Sequence, residues 1–523
     1  MIPGKFCGIS VTRDVDPSDV LKGRSNLHRE KTKTKKGNPM NVYRRLGITV
    51  LALLAWSSVA GAQSWQGLKN KANFNAGAML LLSDGTVMVH SEQSNTQNWY
   101  KLTPDNTGSY INGTWKQLAS LPSGYAPLYF ASAVLPGGRV LVEGGEYNNG
   151  SGDWTNKGAI YNPVTNKWAS VNPPSGWSTI GDAQSVVLAN KKLMLANCCT
   201  AQGALFNATG KTWKSTGTGK ADWNDEEGWT LLPSGNVLTV DAYVNGGSGT
   251  NSEIYSASGG SWSSAGNTPV QLWDSCGGSH EEGPDVMMAD GTVFATGANG
   301  CGAGHTAIYN SNTGQWSQGP DFPNSLDIAD GPGSWEINGN AVVMASPGVF
   351  NTGAVFLEWN GSTLTQISGP PNASSDSSFY GHFLMLPSGQ LLFTDFSSDV
   401  EVFTPSGTYQ SAWQPTITSV PSTITRGTLY QISGTQFNGF TQGSAYGDDF
   451  QDATNFALVR VVNNSTGHVF YCRTKNPSTM GIQTGSATVS THFTCSKKVE
   501  TGASSLYVVT NGIPSAAAAV TIQ

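Results

Sequence analysis

Charged residues are scarce in this sequence, and so are long apolar runs. Asp, Glu, Lys and Arg together make up 12% of the 523 residues, and the formal net charge is −6. The body of the chain carries no basic stripe, so a nucleic-acid partner has little electrostatic support. Beyond residue 62 no segment is long and apolar enough to cross a membrane, and we expect no membrane span in the mature chain.

The N-terminus differs from the rest of the chain. Residues 1–39 are polar, and we expect a non-native or disordered leader there, with Met40 as the true start. Residues 40–62 combine an arginine pair, a short apolar run and small residues ending at Ala62. This layout is typical of a secretory signal peptide, with an uncleaved anchor as the alternative. We therefore predict a secreted, cell-surface or periplasmic protein.

The remaining cysteines suit an oxidising compartment. Six of the seven cysteines follow the signal peptide. Cys472 and Cys495 lie in neighbouring strand-like runs, which makes a bridge between them plausible, and Cys276 and Cys301 are placed to close the loops of one repeat. Cys198 and Cys199 are adjacent, and the sequence leaves open a vicinal disulfide or two buried thiols.

Glycine and aromatic residues are abundant, and they recur in one repeated phrase. The chain has 63 Gly, 16 Trp and 16 Tyr. Each unit of about 45–55 residues reads as an apolar strand, a turn, a second apolar strand, a Tyr or Phe strand and a Trp strand, as expected for one propeller blade. The turns centre on Gly85, Gly138, Lys191, Gly235, Gly291, Gly339 and Gly389. The strand-like SWQGL at Ser64–Leu68 is predicted to complete the last unit and close the ring.

From these units we predict an all-β protein. A seven-bladed β-propeller is expected over residues 63–413, since seven units can be counted. From about residue 414 the Trp signature disappears and alternating strands run to the end. Residues 414–523 are therefore predicted to form an immunoglobulin-like β-sandwich packed on the propeller.

Several phrases resemble known proteins. GGRVLVEGGEY, AIYNPVTNKW and GQWSQGP resemble Kelch repeats. The order of domains, with YGDDFQDATNFALVRV and SLYVVTNGIPSAAAAVTI near the end, resembles the galactose oxidase and glyoxal oxidase family. That resemblance implies one copper ion bound in the propeller channel by a cross-linked Tyr–Cys pair, a second Tyr and two His.

The copper ligands implied by the resemblance are mostly missing. Tyr129 matches the cross-linked tyrosine, but the cysteine position holds Ala76. The Tyr-His pair falls on Phe379 and Tyr380, and the stretch RTKNPSTMG contains no histidine. His382 lies two positions beyond the expected histidine. Without a thiol and two imidazoles copper loses its preferred donors, so a copper-radical oxidase is not expected.

Carboxylates occupy the same repeat position in four successive units. Nine residues before each turn landmark stand Ala76, Tyr129, Asp182, Glu226, Glu282, Asp330 and Tyr380. Carboxylates that converge in a narrow channel repel one another, and they take up protons or bind a cation. Ligands that are all oxygen favour a hard ion, with calcium preferred over magnesium or manganese. We predict that Asp182, Glu226, Glu282 and Asp330 bind a divalent metal; a hydrated, metal-free mouth is the alternative.

Three functions remain open at this point. The first is a non-oxidative, monomeric binding protein whose channel mouth recognises a carbohydrate-like or small-molecule ligand. Its predicted ligand-binding residues are Tyr129, Tyr380, Glu227, His280 and Glu281. The second is a polysaccharide hydrolase or lyase with Glu226 and Glu282 as the acid and base pair. The third is a copper oxidoreductase of the resembled family, against which the missing ligands argue.

Overall fold

The structure, a computed structural model, describes residues 62–92, 96–198, 200–242, 249–274, 276, 279–450 and 452–523. The predicted leader and all but the last residue of the predicted signal peptide lie outside these residues, and so does Cys199.

Nearly all regular structure in the described residues is β-strand, and most of it forms four-stranded antiparallel sheets. The all-β prediction is confirmed, and the arrangement is consistent with a propeller. The first four of these sheets contain β2 (Ala76–Leu81), β3 (Val87–Ser91), β4 (Trp99–Thr103) and β5 (Thr114–Gln117); β7 (Ala131–Val134), β8 (Val140–Glu143), β11 (Gly158–Asn162) and β12 (Lys167–Val171); β13 (Ser185–Val187), β14 (Leu193–Ala196), β15 (Gly203–Asn207) and β16 (Thr212–Ser215); and β17 (Thr230–Leu231), β18 (Val237–Val240), β19 (Asn251–Ser256) and β20 (Ser261–Asn267).

The next sheets repeat the pattern with two additions. They contain β21 (Glu282–Met287), β22 (Thr292–Gly297), β23 (Thr306–Asn310) and β24 (Gln315–Gln318); β25 (Gly333–Trp335), β26 (Ala341–Ala345), β27 (Val355–Trp359) and β28 (Leu364–Ile367), extended by β35 (Ser444–Ala445); and β29 (His382–Met385), β30 (Leu391–Thr394) and β31 (Glu401–Thr404), completed by β1 (Ser64–Gly67). A small sheet joins β6 (Pro127–Leu128), β9 (Tyr147–Asn148) and β10 (Ser151–Gly152). Short 3₁₀ helices span Pro323–Ser325, Ala373–Ser375, Ser378–Tyr380 and Ser411–Trp413.

Strand β1 comes from the start of the described chain but belongs to the last four-stranded sheet. It pairs antiparallel with β31, from Ser64 opposite Thr404 to Gly67 opposite Glu401. The edge of β31 is therefore covered, as the SWQGL phrase predicted.

The turn landmarks have the backbone conformation that the repeated phrase predicts. All of them have positive φ: Gly85 (73°), Gly138 (75°), Lys191 (73°), Gly235 (81°), Gly291 (91°), Gly339 (98°) and Gly389 (82°). Six are glycine because this conformation is cheap only without a Cβ, and Lys191 adopts it as well.

Burial decreases from the first to the last strand of each sheet. All six residues of β2 and of β21 are buried, whereas outer strands such as β5 are largely exposed. The Tyr or Phe of a third strand packs on the Trp of the fourth, as in Tyr161 with Trp168 at 5.1 Å between ring centroids and Tyr255 with Trp262 at 5.3 Å. These aromatic pairs fill the space at the outer strands of the four-stranded sheets.

The C-terminal strands form a separate sheet of nine strands. It contains β32 (Thr416–Ser419), β33 (Thr423–Ile424), β34 (Leu429–Thr435), β36 (Leu458–Asn463), β37 (Val469–Lys475), β38 (Val489–Thr494), β39 (Gly502–Thr510), β40 (Ile513–Pro514) and β41 (Ala518–Ile522). Its own core includes Ile432, Val459, Phe493 and Leu506.

Two disulfides form as the sequence predicted, Cys276–Cys301 and Cys472–Cys495. They indicate an oxidising compartment. The Cys198 thiol is buried and hydrogen-bonded to Asp182. Across the part of the chain that the structure describes, no helix has the length and apolar character needed to span a bilayer.

Candidate metal centre

The candidate site begins where the chain enters the innermost strands. Tyr129, Glu226 and Asp330 have φ of 50°, 56° and 52°, which is uncommon for residues with a side chain. All three stand at the repeat position nine residues before a turn landmark. Left-handed residues of this kind cluster at ligand sites because the surrounding structure must hold them there.

Five carboxylates converge at these strand entries in two triads. Asp182, Glu226 and Asp448 form one triad, and Glu226, Glu281 and Asp330 form the other; within each triad one oxygen per residue lies within 4.8 Å of the others. Glu281 and Asp448 are buried, and the other three are half-buried. Glu226 belongs to both triads. Spacing of this kind can hold a metal ion.

Asp448 lies on a loop of the C-terminal region. Strand β35 pairs with β25, and the following residues lie among the innermost strands. The Phe450 ring lies 5.4 Å from that of Phe130, and the Tyr446 hydroxyl donates to the carbonyl oxygen of Phe379 at 2.7 Å. Gly447 permits the approach, because a Cβ there would lie 2.0 Å from the Asp330 carboxylate.

Burial and mutual repulsion raise the free energy of the ionised carboxylates in the cluster. Burial raises the pKa of Glu226, and the Glu281, Asp182 and Asp448 carboxylates raise it further. Burial likewise raises the pKa of Asp330, to about 7. The ion pairs with Lys and Arg that the described residues form all lie elsewhere. A cation between these carboxylates would remove the repulsion.

Several oxygens of the cluster are buried without a hydrogen-bond partner. They are Asp182 Oδ1, Glu281 Oε2 and Asp330 Oδ1. The same carboxyl groups make other hydrogen bonds among the described residues, since Asp182 accepts one from the Cys198 thiol and Glu281 and Asp330 share one. The unpaired oxygens are therefore available to a cation or to shared protons. The chemistry of the donor set, which is all oxygen, fits a hard cation.

Glu282 lies outside both triads, although the repeat spacing grouped it with Asp182, Glu226 and Asp330. It is buried, and its pKa is raised first by burial and then by Asp285 and Glu227. The ladder between β21 and β22 shifts register between Glu282 and Asp285. Glu281, one residue earlier in the chain, joins Glu226 instead.

Glu227 belongs to a buried ion network and not to the triads. The Lys220 ammonium lies 3.0 Å from Glu227, 3.5 Å from Asp241 and 2.8 Å from Glu253. The Gln184 amide also donates to Glu227 at 2.9 Å. Asp222, Glu227 and Asp241 have metal-like spacing, but the ammonium already neutralises part of this group.

The two predicted ligand-binding tyrosines are half-buried and flank the same phenylalanine. The rings of Tyr129 and Tyr380 lie 6.4 Å and 5.4 Å from the Phe396 ring. Burial raises the pKa of Tyr129, and the nearby Asp330 carboxylate contributes. His280 lies apart from them, with its Nδ1 atom 3.8 Å from Asp225 and its ring 5.7 Å from Trp273.

His382 is buried and unpaired among aromatic rings. Neither ring nitrogen has a hydrogen-bond partner, and the rings of Phe450 and Tyr446 lie 4.6 Å and 5.2 Å away. Burial lowers the pKa of His382 to about 4. Neither carboxylate triad includes a histidine or a cysteine, so the donor set is not the one that the copper family implies.

The repeat spacing does not identify Asp448. That spacing concerns one position in each propeller repeat, whereas Asp448 follows β35 in the C-terminal region. The signal was present in the phrase YGDDF, which joins an aromatic residue, a glycine and two carboxylates in a largely uncharged chain.

Comparisons with known proteins give structural likeness at low identity. No family model matches the sequence, and no curated protein matches it. A fungal alcohol oxidase of the AA5 family, in complex with copper, is 12% identical with a TM-score of 0.48, and the match covers 89% of this chain and 100% of that one. A catalytically inactive virginiamycin B lyase from Staphylococcus aureus with quinupristin is 9% identical with a TM-score of 0.47, covering 66% and 100%. A streptogramin B lyase is 10% identical with a TM-score of 0.44, covering 66% and 98%.

Proposed function

We propose that this chain is an exported, non-oxidative binding protein whose axial carboxylates hold a divalent cation and, with it, a carbohydrate-like ligand. Its architecture would be a seven-bladed Kelch-like propeller followed by an immunoglobulin-like sandwich. The successive four-stranded sheets and the pairing of β1 with β31 support the ring. The nine C-terminal strands with a separate core support the second domain.

The observation that carries the proposal is the convergence of five carboxylates that have no Lys or Arg partner among the described residues. Ionised carboxylates at this spacing are stable only with a counter-ion or with protons. Calcium is the ion of choice because it accepts many oxygen ligands in irregular geometry. Copper is disfavoured because the triads contain neither imidazole nor thiolate.

The ligand class follows from the surroundings of the cluster. Tyr129 and Tyr380 are half-buried and flank the Phe396 ring, so aromatic side chains lie beside the cluster. A calcium ion with open coordination positions accepts sugar hydroxyls, and an aromatic ring packs against the apolar face of a sugar. The acid and base pair needed for a hydrolase is not supported, since Glu282 lies outside the triads that contain Glu226.

Metal analysis and thermal stability test the cation. Chelator-treated protein is titrated with calcium, magnesium, manganese and copper while unfolding is followed. An ion at 100 times its dissociation constant stabilises the folded state by about 2.7 kcal/mol. We expect that gain with calcium in the native protein and not in Glu226→Gln. A chain that gains stability only with copper, and releases peroxide from alcohols, would overturn the proposal.

A further inference from the structure

The two triads share one residue. Glu226 is grouped with Asp182 and Asp448 on one side and with Glu281 and Asp330 on the other. Glu226 is therefore the central carboxylate of the cluster.

The five carboxylates fall into two sets, each with the spacing of the ligands of one ion. Calcium–oxygen distances of about 2.3–2.6 Å keep the ligand oxygens of one ion within roughly 5 Å of each other, and magnesium or manganese needs a tighter set. Each triad meets such a limit, with oxygens within 4.8 Å. The five carboxylates together are not one set at that spacing among the described residues. The ligand atoms divide into two groups with Glu226 in common.

An orphaned oxygen marks each group independently. Glu281 is 8% exposed, and its Oε2 atom has no hydrogen-bond partner. In the other triad the Oδ1 atom of Asp182 has no partner among the described residues, although the Asp182 carboxylate accepts a hydrogen bond from the Cys198 thiol. A single ion bound at one triad would leave the orphaned oxygen of the other triad without a cation.

Charge balance leads to the same arrangement. When all five carboxylates are ionised, one divalent cation leaves three negative charges among them, whereas two cations leave one. We propose that Glu226 bridges two divalent cations, one bound with Asp182 and Asp448 and the other with Glu281 and Asp330. This inference rests on the proposed cation function and extends it, because two bridged ions can hold one anionic oxygen between them.

Manganese is the probe that tests the bridge, because it is paramagnetic and prefers oxygen ligands. Full-length chelated protein is titrated with Mn²⁺, the bound ions per chain are counted by calorimetry and elemental analysis, and the EPR spectrum is recorded. We expect two ions per chain and a spin-coupled spectrum. Asp448→Asn and Glu281→Gln should each retain one ion with the six-line spectrum of isolated Mn²⁺.

The controls distinguish failure of the two-cation bridge from failure of the proposed cation-binding function. Glu282→Gln, next to a proposed ligand but outside both triads, should keep two ions, and Glu226→Gln should weaken both sites. One isolated ion in the wild type, lost in Glu226→Gln, would overturn the bridge and leave the cation proposal intact. No bound Mn²⁺ in a folded wild-type protein would overturn the bridge, and absence of calcium binding as well would overturn both. The wild-type stoichiometry and spectrum decide the question even where a variant fails to fold.

Discussion

Glu281 and Glu282 are neighbours in the chain with different surroundings. Glu281 belongs to a triad with Glu226 and Asp330, whereas the pKa of Glu282 responds to Asp285 and Glu227. We expect Glu281→Gln to weaken divalent-cation affinity at least tenfold, because it removes a charged ligand. Glu282→Gln should change it less than twofold. Isothermal titration calorimetry of both variants measures the difference, and equal losses in the two would refute the assignment of Glu281.

The burial of His382 makes the stability of the folded protein depend on pH. Its pKa is about 4 in the folded protein against an ordinary value of 6.5, because burial disfavours the imidazolium; Glu92 opposes this shift and His90 adds to it. Between these values the unfolded chain binds a proton that the folded chain does not. Stability is therefore lost as the pH falls, by about 2 kcal/mol between pH 7 and pH 5.

Denaturant unfolding of His382→Phe at both pH values checks this expectation. The phenyl ring keeps the packing against Phe450 and Tyr446 and removes the proton, so this variant should lose about 2 kcal/mol less than the wild type on acidification. His305→Phe is the control, since that histidine is partly exposed and paired with Asp321. If His382→Phe loses as much stability as the wild type between pH 7 and pH 5, the assignment of this loss to His382 is wrong.

Strand β1 is short, and the Trp65 side chain makes most of its packing contacts. The rings of Phe403, Phe356 and Phe393 lie 4.8, 5.0 and 5.5 Å from that of Trp65, and its indole N–H donates to the carbonyl oxygen of Ser368. Trp65→Ala should destabilise the protein by about 3 kcal/mol, because a large aromatic contact is lost and the last sheet exposes its edge.

Chemical unfolding measures this loss against Val164→Ala. Val164 is 69% exposed, so its truncation should change stability by less than about 0.5 kcal/mol. A Trp65→Ala protein as stable as the control would mean that β1 does not secure the last sheet.

The strands and turns could be predicted from the local sequence. The carboxylate cluster was harder to predict, because it depends on contacts between residues far apart in the chain. The repeated turns require positive φ, and glycine supplies it at positions such as Gly85 and Gly389, so strands and turns were predicted from the sequence. The repeat spacing does not reveal that Glu281, and not its neighbour Glu282, joins the triad with Glu226. Asp448 reaches the cluster through the pairing of β35 with β25, two strands far apart in the chain.

At the scale of the whole molecule, the cluster joins residues from distant parts of the chain. Asp182, Glu226, Glu281 and Asp330 come from the entries to innermost strands, and Asp448 comes from the C-terminal region. A bound cation would act as a cross-link between them, since opening any one part would expose the ion and lose its binding free energy.

Hydrogen exchange measures that cross-link directly. With calcium at 100 times its dissociation constant, opening motions that expel the ion should become about 100-fold rarer. Backbone amides near Glu226, Glu281 and Asp448 should slow together, whereas those of the exposed strand Thr416–Ser419 should not change. In Asp448→Asn the loop should lose its protection while the neighbourhood of Glu281 keeps it. Protection confined to the propeller residues of the wild type would show that the C-terminal loop contributes no ligand.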